Sequence, residues 1–201
     1  AGTSLPQGSR SRRRCRPRTS SSPTLRRRRA SGSPPPKTLK RKTARPRQKA
    51  KRKTQVAVES LQKKVPIKLS HIARIARTIL EYEGVREASL SIVFVSSPKI
   101  RCLHRQYLRR DYVTDVLAFD LREVKRPGQV NGDIAICVDR ALKNAAAYQT
   151  SCARELVLYV AHGILHLLGF DDHSPRDIRA MRKKEREILN YLGSKIDTVV
   201  N

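Results

Sequence analysis

No acidic residue occurs before Glu59, while residues 1–54 hold 20 of the 44 Lys and Arg. That split confines any fold to the rest of the chain. The first 54 residues carry a net charge of +20, seven of the eleven prolines and no aromatic side chain. Such a segment buries too little apolar surface to offset the entropy of ordering it, so residues 1–54 are expected to form a basic disordered tail. From Gln55 onward 24 basic residues stand against 17 acidic ones, a net of +7. One domain of ordinary size is expected over residues 55–192, with a short C-terminal extension over 193–201.

The arginine runs Arg12–Arg14 and Arg26–Arg29 suit a polyanion, whether RNA, DNA or an anionic membrane surface; a solvated tail without a partner has the same composition. No apolar run of 18 residues occurs, which argues against a membrane-spanning helix, and no apolar targeting core follows the N-terminus. The expected location is cytoplasmic. An Arg- and Ser-rich, acid-free leader also fits an organellar transit peptide, although its prolines oppose one long amphipathic helix. Cys15, Cys102, Cys137 and Cys152 form no C-x-x-C pair, which fits a reducing compartment.

Within the folded part, Val56–Val58 reads as a short strand. Ile72, Ile75, Ala76, Ile79 and Leu80 repeat at helical spacing over Lys68–Glu83, with Ser70 as cap and Gly84 as terminator. Leu90, Ile92 and Phe94 alternate as in a strand with a buried face, and Ser97-Pro98 opens a second helix. Asp115–Leu121 and Asp133–Val138 predict two further strands, separated by a loop over Arg122–Asn131 that contains Pro127-Gly128. Asp139–Tyr148 predicts a helix, and Arg154–Leu168 another, apolar nearly all round and therefore central. Ser174-Pro175-Arg176-Asp177 starts the last helix, whose buried stripe is Ile178, Met181, Ile188, Leu189 and Leu192. Four strands and five helices without regular βαβ repetition predict an α+β domain, a four-stranded sheet packed with helices.

Three of the five histidines fall within twelve residues, in AHGILHLLGFDDH. His162 and His166 are four apart on the penultimate helix, so their imidazoles share one face and both reach one metal ion. Gly169 breaks the helix by accepting a left-handed conformation, and the chain folds back to bring His173 to the same ion. Three protein ligands leave a fourth position open, the catalytic arrangement of zinc. The competing interpretation of the pair is two satisfied core histidines. His71 and His104 are expected at the surface. Zinc proteases of the metzincin type share the i, i+4 histidine pair but need a glutamate after the first histidine, where this chain has Gly163.

HGILHLLGFDDH is similar to the HGxLHLxGxDH signature of the YbeY family, zinc-dependent endoribonucleases of ribosomal RNA maturation and quality control. LHRQYLRRDYVTDVLAF (Leu103–Phe119) resembles that family's LNxxYRxxDxPTDVLSF block, and NGDIAICVDRA (Asn131–Ala141) its GDIxIsxdxA block. The resemblance covers about Val56–Leu192. It implies an α+β fold, one zinc ion per chain held by His162, His166 and His173, and single-stranded ribosomal RNA as substrate, with ribosomal proteins as further partners and no membrane. The other readings are a metzincin-like protease and a non-catalytic basic RNA-binding protein of the ribosome.

Two positions depart from the family pattern. Both Asp171 and Asp172 precede His173, which falls eleven residues after His162 rather than ten. Asp172 therefore occupies the register of the usual histidine and competes as ligand; His173 is the expected one, because imidazole suits zinc. Leu108 stands where many members have arginine, leaving Arg105, Arg109 and Arg110 as alternatives for a phosphate contact, or as a solvated basic face. Asp115 and Asp133, at strand starts, are candidates for orienting a histidine, or ordinary turn carboxylates.

Overall fold

The computed structural model describes residues 53–200. The expected tail thus lies outside the described residues, except for Lys53 and Thr54. These two open strand β1 (Lys53–Ser60), which is longer than the three residues its sequence suggested. There follow α1 (Leu69–Tyr82), β2 (Glu87–Val95), α2 (Ser97–Leu108), β3 (Val116–Asp120), β4 (Gln129–Cys137), α3 (Val138–Tyr148), α4 (Cys152–Leu167), α5 (Pro175–Leu192) and a 3-10 turn over Gly193–Val199.

The four strands form one sheet in the order β1-β2-β4-β3. β1, β2 and β4 run parallel, and β3 pairs antiparallel with β4. This is an α+β fold with a mixed sheet. Strand alternation divides its side chains between two clusters. Leu90, Ile92, Phe94, Ile134 and Ile136 point into the main core beneath α1, α4 and α5. Val95, Ala135, Cys137 and Leu117 point the other way, into a smaller cluster with Ile100 of α2.

Helix α4 lies at the centre because it is apolar on nearly every side: Leu156, Val157, Val160, Ala161, Ile164 and Leu165 have no measurable exposure. Each of the Leu, Val and Ile side chains among them contributes roughly 1.5–3 kcal/mol relative to an exposed one. Two glycines set its distance from the sheet. A Cβ at Gly163 would stand 2.7 Å from Ile134 Cγ2, and one at Gly132 would stand 2.5 Å from the Phe119 carbonyl and 2.8 Å from Leu167 Cδ2. The helix can press onto β4 only because both side chains are absent.

Strand β4 begins at Gln129, so the loop anticipated over Arg122–Asn131 is shorter at its C-terminal end. Residues 193–200 also do more than extend the domain. Ile196 and Val199 are buried in the main core, the Lys68 amide donates to the Val199 carbonyl at 2.8 Å, and Ile67 bridges to Val200.

Candidate metal centre

Helix α4 carries the histidines. Ser151 caps its start, the hydroxyl accepting from the Arg154 amide at 3.1 Å. Its far end is closed by Gly169 at φ +96, and the Gly169 and Phe170 amides donate back to the His166 and Leu165 carbonyls, each at 3.0 Å. This turn reverses the chain over the last helical residues. The return is held at its other end by Ser174, whose hydroxyl accepts from the Asp177 amide at 3.2 Å, with Pro175 starting α5.

Residues 170–173 span those two anchors. Asp172 is the residue that faces the histidine pair, its Oδ2 3.9 Å from His162 Nε2 and 4.0 Å from His166 Nε2. His173, the ligand preferred from sequence, lies beside the Ser174 cap with its side chain 78 % exposed, and its Nδ1 pairs with Asp171. Two groups of potential ligand atoms result: His162, His166 and Asp172, and, further out, the exposed Asp171, Asp172 and His173. The structure thus brings His162 and His166 together and puts Asp172, in place of His173, next to them.

The two imidazoles are arranged as ligands. His162 Nδ1 donates to Glu185 Oε1 at 2.7 Å and His166 Nδ1 donates to the Phe170 carbonyl at 3.1 Å. Carboxylate and carbonyl oxygens only accept, so in both neutral rings the proton sits on Nδ1 and Nε2 is a bare lone pair. The two Nε2 atoms lie 3.0 Å apart. Two lone pairs converging beside a carboxylate repel one another, and a cation between them removes the conflict. Two nitrogens and an oxygen form a donor set that fits zinc, and equally iron or manganese.

The electrostatics of the pair are uneven. Burial presses His162 toward neutrality, but the hydrogen bond and charge of Glu185 outweigh it and leave the pKa raised. Burial, then the charge of His162, lowers that of His166. Glu185 had not been singled out from the sequence. Its signal was present: a carboxylate that interrupts the apolar stripe of α5 between Met181 and Ile188, turned inward and only 15 % exposed.

A cavity of about 810 Å³ opens beside His162, lined among others by Asp115, Tyr148, Tyr159, Asp172, Arg182 and Glu185. Of the two strand-start carboxylates, Asp115 reaches it, whereas Asp133 lines a different cavity on the β1 side of the sheet. Asp115 Oδ1 accepts from the Val116 amide at 3.0 Å. None of the α2 arginines lines the histidine cavity. Arg105 borders a separate one with Arg101, which is paired with Asp111; Arg109 forms the left-handed end of α2 at φ 55, and Arg110 turns to the Tyr112 hydroxyl at 3.4 Å. His104 is also not at the surface. It is 3 % exposed and its Nδ1 donates to the Tyr112 carbonyl at 3.0 Å, because the loop after α2 folds over it. His71 stays half-exposed and donates to the Thr198 carbonyl at 2.8 Å.

Residues 57–193 match the family described as Endoribonuclease YbeY. A protein of that description from Macrococcus caseolyticus is 36% identical over 152 residues, 71% of this chain and 99% of the relative. One from Carboxydothermus hydrogenoformans is 37% identical over 139 residues, 68% of this chain and 96% of the relative. One from Anaeromyxobacter dehalogenans is 42% identical over 118 residues, 59% of this chain and 61% of that longer relative. A solution structure from Thermotoga maritima aligns at a TM-score of 0.48 with 26% identity, covering 68% of this chain and 91% of that one. Matched by that family over residues 57–193, and 36% identical to a relative covered over 99% of its length, the chain belongs to the YbeY endoribonuclease family.

Proposed function

We propose that this protein is a metal-dependent endoribonuclease that cleaves single-stranded regions of ribosomal RNA during maturation and quality control, with one zinc ion per chain held by His162, His166 and Asp172. The observation that carries the reading is the convergence of the two Nε2 atoms at 3.0 Å beside the Asp172 carboxylate. When bound, the metal supplies Lewis acidity toward water and toward a phosphoryl oxygen at neutral pH.

The chain's own groups prepare that chemistry. Glu185 fixes the tautomer of His162 and keeps its ring turned into the cavity, as the Phe170 carbonyl does for His166. The ring of Tyr159 is buried, and its hydroxyl accepts from Asn144 at 2.7 Å, closing one wall. A protease reading lacks its general base: Gly163 presses on Ile134, and a glutamate there would point into the sheet. Ribosomal proteins are proposed as further partners, while the net charge of +27 favours the RNA itself.

Elemental analysis of purified protein, paired with cleavage of a single-stranded RNA before and after chelation, tests the proposal. About one metal per chain and cleavage lost on chelation, then restored by zinc, is the expected result. Cleavage undiminished in metal-free protein would overturn it.

A further inference from the structure

The cavity beside the histidine pair contains two features that the metal site does not use. Arg182 and Arg186 both line it, four residues apart on α5 and therefore on one helix face. Both are exposed, and among the described residues neither has a hydrogen-bond or ion-pair partner. Tyr148, at the C-terminus of α3, lines the same cavity and is 71 % exposed. Of the four carboxylates in the same cavity, Asp172 faces the histidine pair and the other three accept hydrogen bonds. Glu155 accepts from Thr150 at 2.6 Å, Glu185 from His162, and Asp115 from the Val116 amide.

We infer that this cavity is the seat of an unpaired nucleotide next to the cleaved bond: Tyr148 stacks on its base, and Arg182 and Arg186 hold the flanking phosphates. The inference rests on the RNA-directed reading above and adds the contacts that select the strand. An exposed aromatic ring and free guanidinium groups lining one cavity are the combination that recognises single-stranded nucleic acid, since every unpaired base has a face to stack and every linkage a charge to neutralise. A base held in a duplex presents no free face to Tyr148. Selection for unpaired RNA then follows from the wall of the cavity rather than from the metal.

The test uses the full chain and a short single-stranded RNA carrying one iodouridine, irradiated on binding and before turnover. Ultraviolet excitation joins iodouridine to an aromatic ring stacked on it, and mass spectrometry locates the adduct. The expected adduct is on Tyr148, retained in Tyr148→Phe, lost in Tyr148→Ala and absent when the same RNA is annealed to its complement. Tyr148→Ala should weaken binding about 5-fold or more, the lower end of the loss of one base–aromatic stack. Arg182→Gln/Arg186→Gln should make the dependence of log K on log salt shallower by about 1.4, two single-strand phosphate contacts. Arg74→Gln/Arg77→Gln removes the same charge from α1 and should change that slope far less.

Adducts confined to residues 1–54 or to Tyr107 and Tyr112, or a slope equally altered by both arginine pairs, would overturn the inference. A chain that crosslinks at Tyr148 yet never cleaves RNA would refute the proposed catalysis and leave this contact standing. A chain that cleaves but crosslinks elsewhere would do the reverse.

Discussion

Glu185 on α5 accepts a hydrogen bond from His162 Nδ1 on α4 at 2.7 Å, so the second helix sets the ring orientation of the first. A carboxylate behind a metal-ligating imidazole raises its basicity and fixes its tautomer. Glu185→Ala should lower metal affinity about 10- to 100-fold with the fold intact. Glu185→Gln should lose less, because the amide oxygen still accepts. Competition against a chelator of known affinity measures both, and wild-type affinity in the alanine variant would contradict the assignment.

Asp172 and His173 separate the two possible ligand sets. Asp172 is within 4.0 Å of both Nε2 atoms, whereas His173 pairs with Asp171 at the exposed rim. Asp172→Ala should therefore cost more metal affinity than His173→Ala, by roughly 10-fold or more on the scale of outer hydrogen-bond losses alone. Isothermal titration of zinc into the two apo variants decides it. The reverse order would restore His173 as the third ligand.

Asp120 and Arg122 tie the sheet to the end of the histidine helix. Arg122 Nε and Nη2 each lie 2.8 Å from an oxygen of Asp120, and the same guanidinium donates to the carbonyls of Gln129 and Leu167. The hydrogen bond from Arg122 holds the Asp120 pKa down to about 2 from an ordinary 3.8. A lowered folded-state pKa stabilises above the unfolded value and ceases to do so as pH falls through about 2. Asp120→Asn should cost about 2 kcal/mol at neutral pH. Urea unfolding at neutral pH and near pH 2 should show the difference from wild type shrinking toward zero. A constant difference would rule out the ionic contribution.

Gly163→Ala sets two effects against each other. Alanine favours the helix by about 1 kcal/mol. Its methyl group would stand 2.7 and 2.9 Å from Ile134 Cγ2 and Cδ1 in the middle of the sheet. Overpacking should win, with a net destabilisation of about 1–3 kcal/mol by thermal or denaturant unfolding. Adding Ile134→Ala should make the pair of substitutions clearly non-additive. A more stable Gly163→Ala would mean that α4 moves off the sheet freely.

Helix α5 was legible because its signals are local: a serine cap, a proline at the first turn and an apolar stripe. The alternation of Leu90, Ile92 and Phe94 made β2 legible in the same way. The start of β4 was hidden because Gln129-Val130-Asn131-Gly132 has weak strand propensity, and pairing with Glu87–Leu90 of β2 decides it. His104 sits on a helix that reads as basic, and only the later return of Tyr112 over it explains its burial. At the metal centre, spacing identified the pair His162 and His166 as helix neighbours. Which residue of Asp172 and His173 faces them depended on how Ser174 anchors the loop, a tertiary constraint that spacing does not carry.

The 3-10 turn after α5 bears on the timing of folding during synthesis. α1 receives its last contacts from Ile196 and Val199 and from the hydrogen bond between Lys68 and Val199, partners 131 positions apart. Translation at about 5–20 residues per second leaves α1 without that clasp for several seconds after it emerges. Throughout that interval one flank of the main core, beside the helix that bears the histidines, is open. Until residues 196–199 emerge, that flank stays open to proteolysis and wrong association, and the tuck of Val199 then closes it.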